Sequence, residues 1–414
     1  MPQLVIKGAR LLDARSEEPI AGDALIVGED GRIAEIGAAT SAVPDGALVI
    51  DAAGRTVVPG LIDCHVHLWA SHELLHEIIQ RSFSEGMAQI LRCGRNFLES
   101  GVTTVRDAGG TPAGIKRVFA RGDFPGPRLQ VSVVPLSITG GHGDAQTPAG
   151  IDLTGDFPPV EMPSGIADGV DEVRRVVRQQ IRAGADWIKV MATGGVYSLM
   201  DAPDAVQYTV DEMRVMVEEA DKAGLRGVMA HAENARGIKN ALRAGIRSID
   251  HGDGLDDEAI ELMLEHDVPL VPTFLVIEEM LREDRVESGV TPPWAVEKVH
   301  RLLDEIEPRF RRAVERGVRV AMGTDGGLGS HLPTELSLMV EHGLSPLLAL
   351  RAATIEAARL LRLDGEIGTL EAGKAADVLI LDGDPLAEPS LWRDPARIVT
   401  VIQAGKVVAD RTTT

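Results

Sequence analysis

The stretch Pro59-Gly-Leu-Ile-Asp-Cys-His-Val-His67 sets the reading of the whole chain. Apolar and β-branched residues (Thr56, Val57, Val58, Leu61, Ile62) run into two histidines one residue apart. Strand side chains alternate faces with a period of two, so His65 and His67 are expected on one face. Two imidazoles there can take one metal ion without backbone strain. Cys64 and Val66 are expected on the other face. Alone, His-x-His is a weak signal. Its weight comes from what recurs downstream.

From Val57 to about residue 360, short apolar runs alternate with longer helical patterns. After the His-x-His strand come Val102-Thr-Thr-Val-Arg-Asp, Arg128-Leu-Gln-Val-Ser-Val-Val, Trp187-Ile-Lys-Val-Met, Gly227-Val-Met-Ala-His, Ser248-Ile-Asp-His, Val268-Pro-Leu-Val-Pro-Thr and Val318-Arg-Val-Ala-Met-Gly-Thr-Asp. Helical periodicity places helices at 169–183, 209–223, 234–244, 256–266 and 296–316. Gly101, Gly184, Gly224, Gly245 and Gly317 sit where helices must close. Alternating β and α with near-continuous apolar strands predicts a parallel sheet covered by helices. Eight such strands, the first included, predict closure into a (β/α)8 TIM barrel, residues 57–365. The ends read as short strands, among them Leu4-Val-Ile-Lys-Gly, Ala24-Leu-Ile-Val, Arg32-Ile-Ala-Glu-Ile, Ala376-Asp-Val-Leu-Ile-Leu and Ile398-Val-Thr-Val-Ile. Residues 1–56 and 366–414 are therefore expected to pair into one small, discontinuous β-sandwich domain.

The bulk numbers narrow the function. Apolar content of 44% and charged content of 25% fit a globular protein. A formal net charge of -21 argues against electrostatic binding of nucleic acid or anionic membrane. No apolar run reaches the length of a membrane span, and residues 1–20 lack the pattern of a secretory signal. A cytoplasmic location is the expectation. The two cysteines, Cys64 and Cys93, make no disulfide framework and read as small buried hydrophobes.

In a barrel of this kind the working residues sit at the C-terminal ends of the strands. Those positions hold His65, His67, Lys189, His231, His251 and Asp325. Each alone has an ordinary structural explanation; together they occupy one rank on five strands. Nitrogen and carboxylate donors without thiolate suit a divalent first-row metal such as Zn2+. Lys189 is the odd member. A cationic lysine repels metals, whereas its carbamate is an anionic two-oxygen ligand. Spacing alone leaves a buried lysine–acid pair equally open.

These motifs carry a resemblance. Pro59-Gly-Leu-Ile-Asp-Cys-His-Val-His, Ile188-Lys-Val, Ala230-His-Ala-Glu, Ile249-Asp-His-Gly and Gly323-Thr-Asp resemble the successive metal motifs of the amidohydrolase superfamily. Asp51-Ala-Ala-Gly-Arg and Ile367-Gly-Thr-Leu-Glu-Ala-Gly-Lys-Ala-Ala-Asp-Val extend the likeness over essentially the whole chain. Thr139-Gly-Gly-His-Gly-Asp, Lys189-Val-Met-Ala-Thr-Gly-Gly-Val and Ala352-Ala-Thr-Ile-Glu-Ala-Ala-Arg resemble its Xaa-Pro dipeptidase (prolidase-like) branch, which includes ochratoxin-hydrolysing amidohydrolases. The resemblance implies two Zn2+ ions, replaceable by Co2+ or Mn2+, bridged by N6-carboxylysine at Lys189. His65, His67 and Asp325 would hold one ion, and His231 and His251 the other. It also implies a homo-oligomer, octamers included. The Gly326-Gly327 pair departs from the usual pattern and leaves the shape of that loop open.

The implied reaction is attack of a metal-bridged hydroxide on an amide carbonyl, with Asp325 carrying the proton to the leaving amine. His142, by resemblance, stabilises the oxyanion or orients the carbonyl. Tyr197 and Tyr208, in or beside a loop at 194–208 that reads as a lid, and Arg106 are candidate substrate contacts. The expected substrates are small carboxylate-bearing amides: N-acyl amino acids, Xaa-Pro dipeptides, or ochratoxin A. Phe274-Leu-Val-Ile reads equally as a wall for a bulky group and as helix core. The alternatives are a cyclic amide or lactone hydrolase, a mononuclear deaminase, and a non-catalytic scaffold of this fold. A further rival is a metalloprotease using His72-Glu-Leu-Leu-His76, which matches His-Glu-x-x-His.

Overall fold

Val102-Thr-Thr-Val-Arg-Asp107 is buried along its full length, as a strand flanked by other strands and covered by helices must be. The computed structural model describes residues 2–38, 46–71, 80–144, 146, 149–150 and 160–411. His72, Glu73 and His76 of the protease-like motif lie outside the described residues.

The strands are β1 (Pro2–Lys7), β2 (Arg10–Leu11), β3 (Ala24–Gly28), β4 (Ile33–Gly37), β5 (Leu48–Asp51), β6 (Thr56–Pro59), β7 (Leu61–Ser71), β8 (Val102–Asp107), β9 (Arg128–Val131), β10 (Trp187–Met191), β11 (Gly227–Ala232), β12 (Ser248–His251), β13 (Leu270–Val271), β14 (Gly326–Leu328), β15 (Val378–Leu381), β16 (Ile398–Gln403) and β17 (Lys406–Asp410). Helices alternate with the central strands, so the fold is mixed α/β.

Two parallel four-stranded sheets form the centre, in the orders β14-β7-β8-β9 and β10-β11-β12-β13. Parallel bridges join them at Leu136–Val190 on one side. On the other, a bridge at Leu270–Val320 continues through Cys64 N–H to the Met322 carbonyl at 2.8 Å. The predicted strand at 318–325 is therefore mostly broken. Only Val320 is bridged, and pairing with β7 resumes at β14. Asp325, at φ +55°, ends the irregular segment.

The helices follow their sequence signals closely. Gly169–Ala183 matches the predicted span, and Gly184 closes it at φ 95°. Ser82 with Glu85, and Thr209 with Glu212, form capping boxes at the starts of Phe83–Glu99 and Val210–Lys222. Pro293–Glu315 begins three residues before its predicted start, because proline fits the first turn of a helix.

The chain ends form a four-stranded sheet, β4-β3-β1-β5, and a five-stranded one, β17-β16-β15-β6-β2. Leu4, Ile6, Leu25, Val57, Val378, Ile380 and Ile402 share one apolar cluster between them. The tail pairs through β15 with residues 56–59. One expectation changes: β6, read as leading into the parallel sheet, pairs antiparallel with β15.

Candidate metal centre

β7 delivers His65 and His67 through an irregular strand. Its register with β8 shifts between Asp63 and Val66. Cys64 consequently packs with Ile62, Trp187 and Met229, while Val66 packs with Leu68 and Ile90. The expected shared face of Cys64 and Val66 does not exist. Asp63, fully buried, accepts hydrogen bonds from His65 N–H (3.0 Å) and from the Thr324 hydroxyl (2.7 Å). It ties the β7 end to the segment carrying Asp325. Burial pushes its carboxyl up to about 7.

The predicted residues converge. His65 Nε2 lies 3.5 Å and His67 Nε2 3.2 Å from Asp325 Oδ1. The His65 and His251 rings are 5.0 Å apart, His231 and His251 4.5 Å. Donor atoms of His65, His251 and Asp325 all lie within 4.8 Å of one another, close enough to hold one metal ion. That trio crosses the expected division, which put His251 with His231.

Contacts on the outward ring nitrogens indicate which nitrogen each histidine has free. His67 Nδ1 is 2.8 Å from the Gly109 carbonyl, leaving Nε2. His251 Nδ1 is 2.8 Å from the Thr273 hydroxyl, leaving Nε2. His65 Nδ1 is 3.0 Å from Asp250 Oδ2, leaving Nε2. His231 is reversed: its Nε2 is 3.1 Å from the Gly194 carbonyl, leaving Nδ1. Burial above all presses the His65 ring down to about 4, so it is a neutral donor near pH 7.

Lys189 is buried. Its Nζ lies 3.2 Å from Asp250 Oδ2 and 3.5 Å from His65 Nε2. Burial lowers its pKa, partly offset by Asp250, and so favours the uncharged amine. An uncharged amine is the form that adds CO2. The donor set fits a divalent metal ion. His251 and Asp325 both sit at positive φ, 72° and 55°. Each such position costs on the order of 1–3 kcal/mol and recurs where a site must be pre-formed.

His142 joins the group. Its ring stacks on His231 at 4.3 Å, and its Nδ1 is 2.8 Å from the Ser198 hydroxyl. Gly195 backs it: a Cβ there would come within 2.3 Å of the ring. The loop at 194–208 is fastened to the helix Pro293–Glu315, where Lys298 donates to the carbonyls of Gly195, Ser198 and Asp201. Tyr197 on that loop is half-exposed.

Two expected substrate contacts are overturned. Arg106 is fully buried and committed to the Cys64 carbonyl (2.5 Å), Ser248 (3.1 Å) and Asp250 (3.2 Å), with its guanidinium 4.8 Å from the Trp187 ring. It supports Asp250 and does not face the site. Tyr208 is buried and donates its hydroxyl to the Ala167 carbonyl. Phe274 is helix core, edge-on to Phe310 at 4.9 Å. Gly326 and Gly327 are required by close packing, since a Cβ at Gly327 would meet the Ala70 carbonyl at 2.7 Å.

The sequence reading missed Asp250, because alternation on β12 puts it opposite His251. The positive φ of His251 cancels that alternation and turns both inward. Glu233, buried with Oε1 3.4 Å from His231 Nε2, was visible as the last residue of Ala230-His-Ala-Glu.

Histidines, a buried lysine and an aspartate thus gather into a possible metal site. A family profile described as "Amidohydrolase family" matches residues 56–408. Ochratoxinase of Aspergillus niger is 36% identical over 366 residues, covering 85% of this chain and 75% of that protein. A prolidase solved with N-methylphosphonate-L-proline superposes with a TM-score of 0.89 at 34% identity, covering 98% of this chain and 99% of that one. A Xaa-Pro dipeptidase with bound methionine gives 0.86 at 30% identity, again over 98% and 99%. The chain belongs to the amidohydrolase family and is a hydrolase of amide bonds. No helix among the described residues is long and apolar enough to cross a membrane.

Proposed function

We propose that this protein is a binuclear zinc amidohydrolase that cleaves small carboxylate-bearing amides. Its substrates are N-acyl amino acids, Xaa-Pro dipeptides, or ochratoxin A, which would release phenylalanine. The observation that carries the reading is the convergence of His65, His251 and Asp325 donors within 4.8 Å, beside a buried Lys189. We read the two parallel sheets, with their bridges at Leu136–Val190 and Leu270–Val320, as one (β/α)8 barrel over residues 57–365. We read the two terminal sheets (1–56 and 366–414) as a β-sandwich around their shared apolar cluster.

His65, His67, His231, His251, Asp325 and carboxylated Lys189 would hold the ions. When bound, such ions polarise a carbonyl and supply hydroxide near neutral pH. The chain's own residues do the rest. Asp325 Oδ1, between His65 and His67, accepts the nucleophile's proton and returns it to the leaving amine. His142, held between Gly195 and His231, orients the carbonyl oxygen. Tyr197, half-exposed on the 194–208 loop, would touch the substrate. A relative named ochratoxinase and a prolidase solved with N-methylphosphonate-L-proline support the substrate class.

The test is hydrolysis of a panel of N-acyl amino acids, Xaa-Pro dipeptides and ochratoxin A by Zn-loaded protein, with metal content measured alongside and Asp325→Asn as control. Turnover of a panel member, lost in the variant, is expected. Two bound metals with no turnover of any member would sink the substrate assignment.

A further inference from the structure

A cavity of about 650 Å³ opens at the end of the strands opposite the histidines. Its walls come from the segments that enter strands: Gly245–Arg247 before β12, His266–Pro269 before β13, and Arg319 before the bridged Val320. Arg247, Arg319 and Arg359 give it a cationic side, with Leu242, Ile246 and Leu360 buried behind them.

The cations there outnumber their partners. Asp267 is taken by Arg319 at 2.7 Å. Glu356 is shared among Arg319, Arg351 and Arg359. Arg247 takes part in none of these pairs. It is half-buried, with its stem laid against Gly227, where a Cβ would meet its Cδ at 2.7 Å, and its Nε is buried without a hydrogen-bond partner. Burial and the charges of Arg362 and Arg319 work against its ionised form.

Arginines near helix C-termini are ordinarily satisfied by the last carbonyls. Arg247 is not, because the preceding helix is closed by its own backbone: Gly245 N–H donates to Leu242 and Ile246 N–H to Ala241. A half-buried guanidinium without an acceptor, in a chain of net charge -21, is a costly arrangement that an anion would complete. The volume falls in the range of small-molecule sites.

We propose that this cavity binds a small organic anion through its acidic group, with Arg247 as its principal partner. The site is separate from the metal centre.

The probe is 2-naphthalenesulfonate, a poor metal ligand, titrated into holoenzyme by equilibrium dialysis. One molecule per chain is expected. Arg247→Met should weaken binding by about tenfold or more, with metal content and thermal midpoint kept, as loss of a charge-assisted contact implies. Arg247→Lys should retain most of it, which guards against loss through misfolding. Neutral 2-naphthalenemethanol should bind at least about tenfold more weakly than the sulfonate. Asp325→Asn should bind the sulfonate as wild type does. Absence of binding to wild type, equal binding by Arg247→Met, or loss in Asp325→Asn would each overturn the proposal.

Discussion

Asp250 Oδ2 lies 3.0 Å from His65 Nδ1 and also 3.2 Å from Lys189 Nζ. One buried carboxylate thus faces the outward nitrogen of a histidine and the amine of the lysine. Arg106 and Ser248 hold its other oxygen at 3.2 and 2.9 Å. Orientation of both groups depends on it. Asp250→Asn is expected to weaken metal binding by about 10- to 100-fold, the usual effect of losing such support. Competition with a chromogenic chelator would measure it. An unchanged affinity would mean that His65 is positioned by packing alone.

Lys189 carries the second prediction. If it is carboxylated, protein saturated with 13C-bicarbonate should show a carbamate carbon resonance that Lys189→Ala lacks. The variant should hold fewer than two metals and lose turnover. Short carboxylates added at high concentration should restore part of both, because they supply the missing oxygen ligand. A variant that still binds two metals would leave Lys189 as a buried partner of Asp250.

Much of this was legible in the sequence. Helix spans came through because their signals are local: Gly184 and Gly245 adopt the left-handed turn their positions predict, and Thr209 caps with Glu212. The histidines, Lys189 and Asp325 could be singled out because strand ends are marked by apolar runs. What failed depended on departures from regular alternation. The register shift between Asp63 and Val66 separates Cys64 from Val66, and the φ of His251 brings in Asp250. Arg106 was misjudged for another reason. A long cation near a strand end points outward or inward according to what lies across the sheet, and its partners Ser248 and Asp250 are more than a hundred residues away.

Arg106 therefore makes a structural prediction, not a substrate one. Arg106→Met leaves the buried Asp250 carboxylate short of a partner, which typically costs about 3–5 kcal/mol. The expected result is a large fall in the urea midpoint or loss of soluble protein, with KM little altered in whatever folds. A variant of normal stability and raised KM would return Arg106 to the substrate.

Glu219 supplies the pH dependence. It receives hydrogen bonds from Arg178 (2.7 Å) and Lys222 (3.2 Å) and pairs with Arg174, joining the helices Gly169–Ala183 and Val210–Lys222. Arg178 above all holds its carboxyl down, to about 2. A depressed carboxyl stabilises the fold above its ordinary range, near pH 4.5, and that contribution fades as pH falls toward 2. With Arg178 and Lys222 exposed to solvent, the contribution is about 1 kcal/mol. Glu219→Gln should lower stability by that amount at pH 7, and the gap should close in acid. Urea midpoints at pH 7 and pH 3 test this; a constant gap would show that lost packing, not charge, is responsible.

Gly195 tests the placement of His142. The residue has no positive φ, so alanine fits its backbone, yet a Cβ would come within 2.3 Å of Cε1 and 2.6 Å of Nε2 of the ring. The ring must then slide or tilt away from His231, on which it stacks with an interplanar angle of 20°. The nitrogens inferred to face metal belong to other residues, so metal content should be unchanged. A displacement of this size typically costs about 10- to 100-fold when the group orients a reacting carbonyl. Gly195→Ala should therefore lower kcat by that factor at full metal occupancy, and His142→Asn added to it should lower kcat little further. Two losses that multiply would show that alanine acts elsewhere, through the Lys298 fastening of the loop. A variant as active as wild type would mean that the ring tolerates displacement and His142 does not orient the substrate.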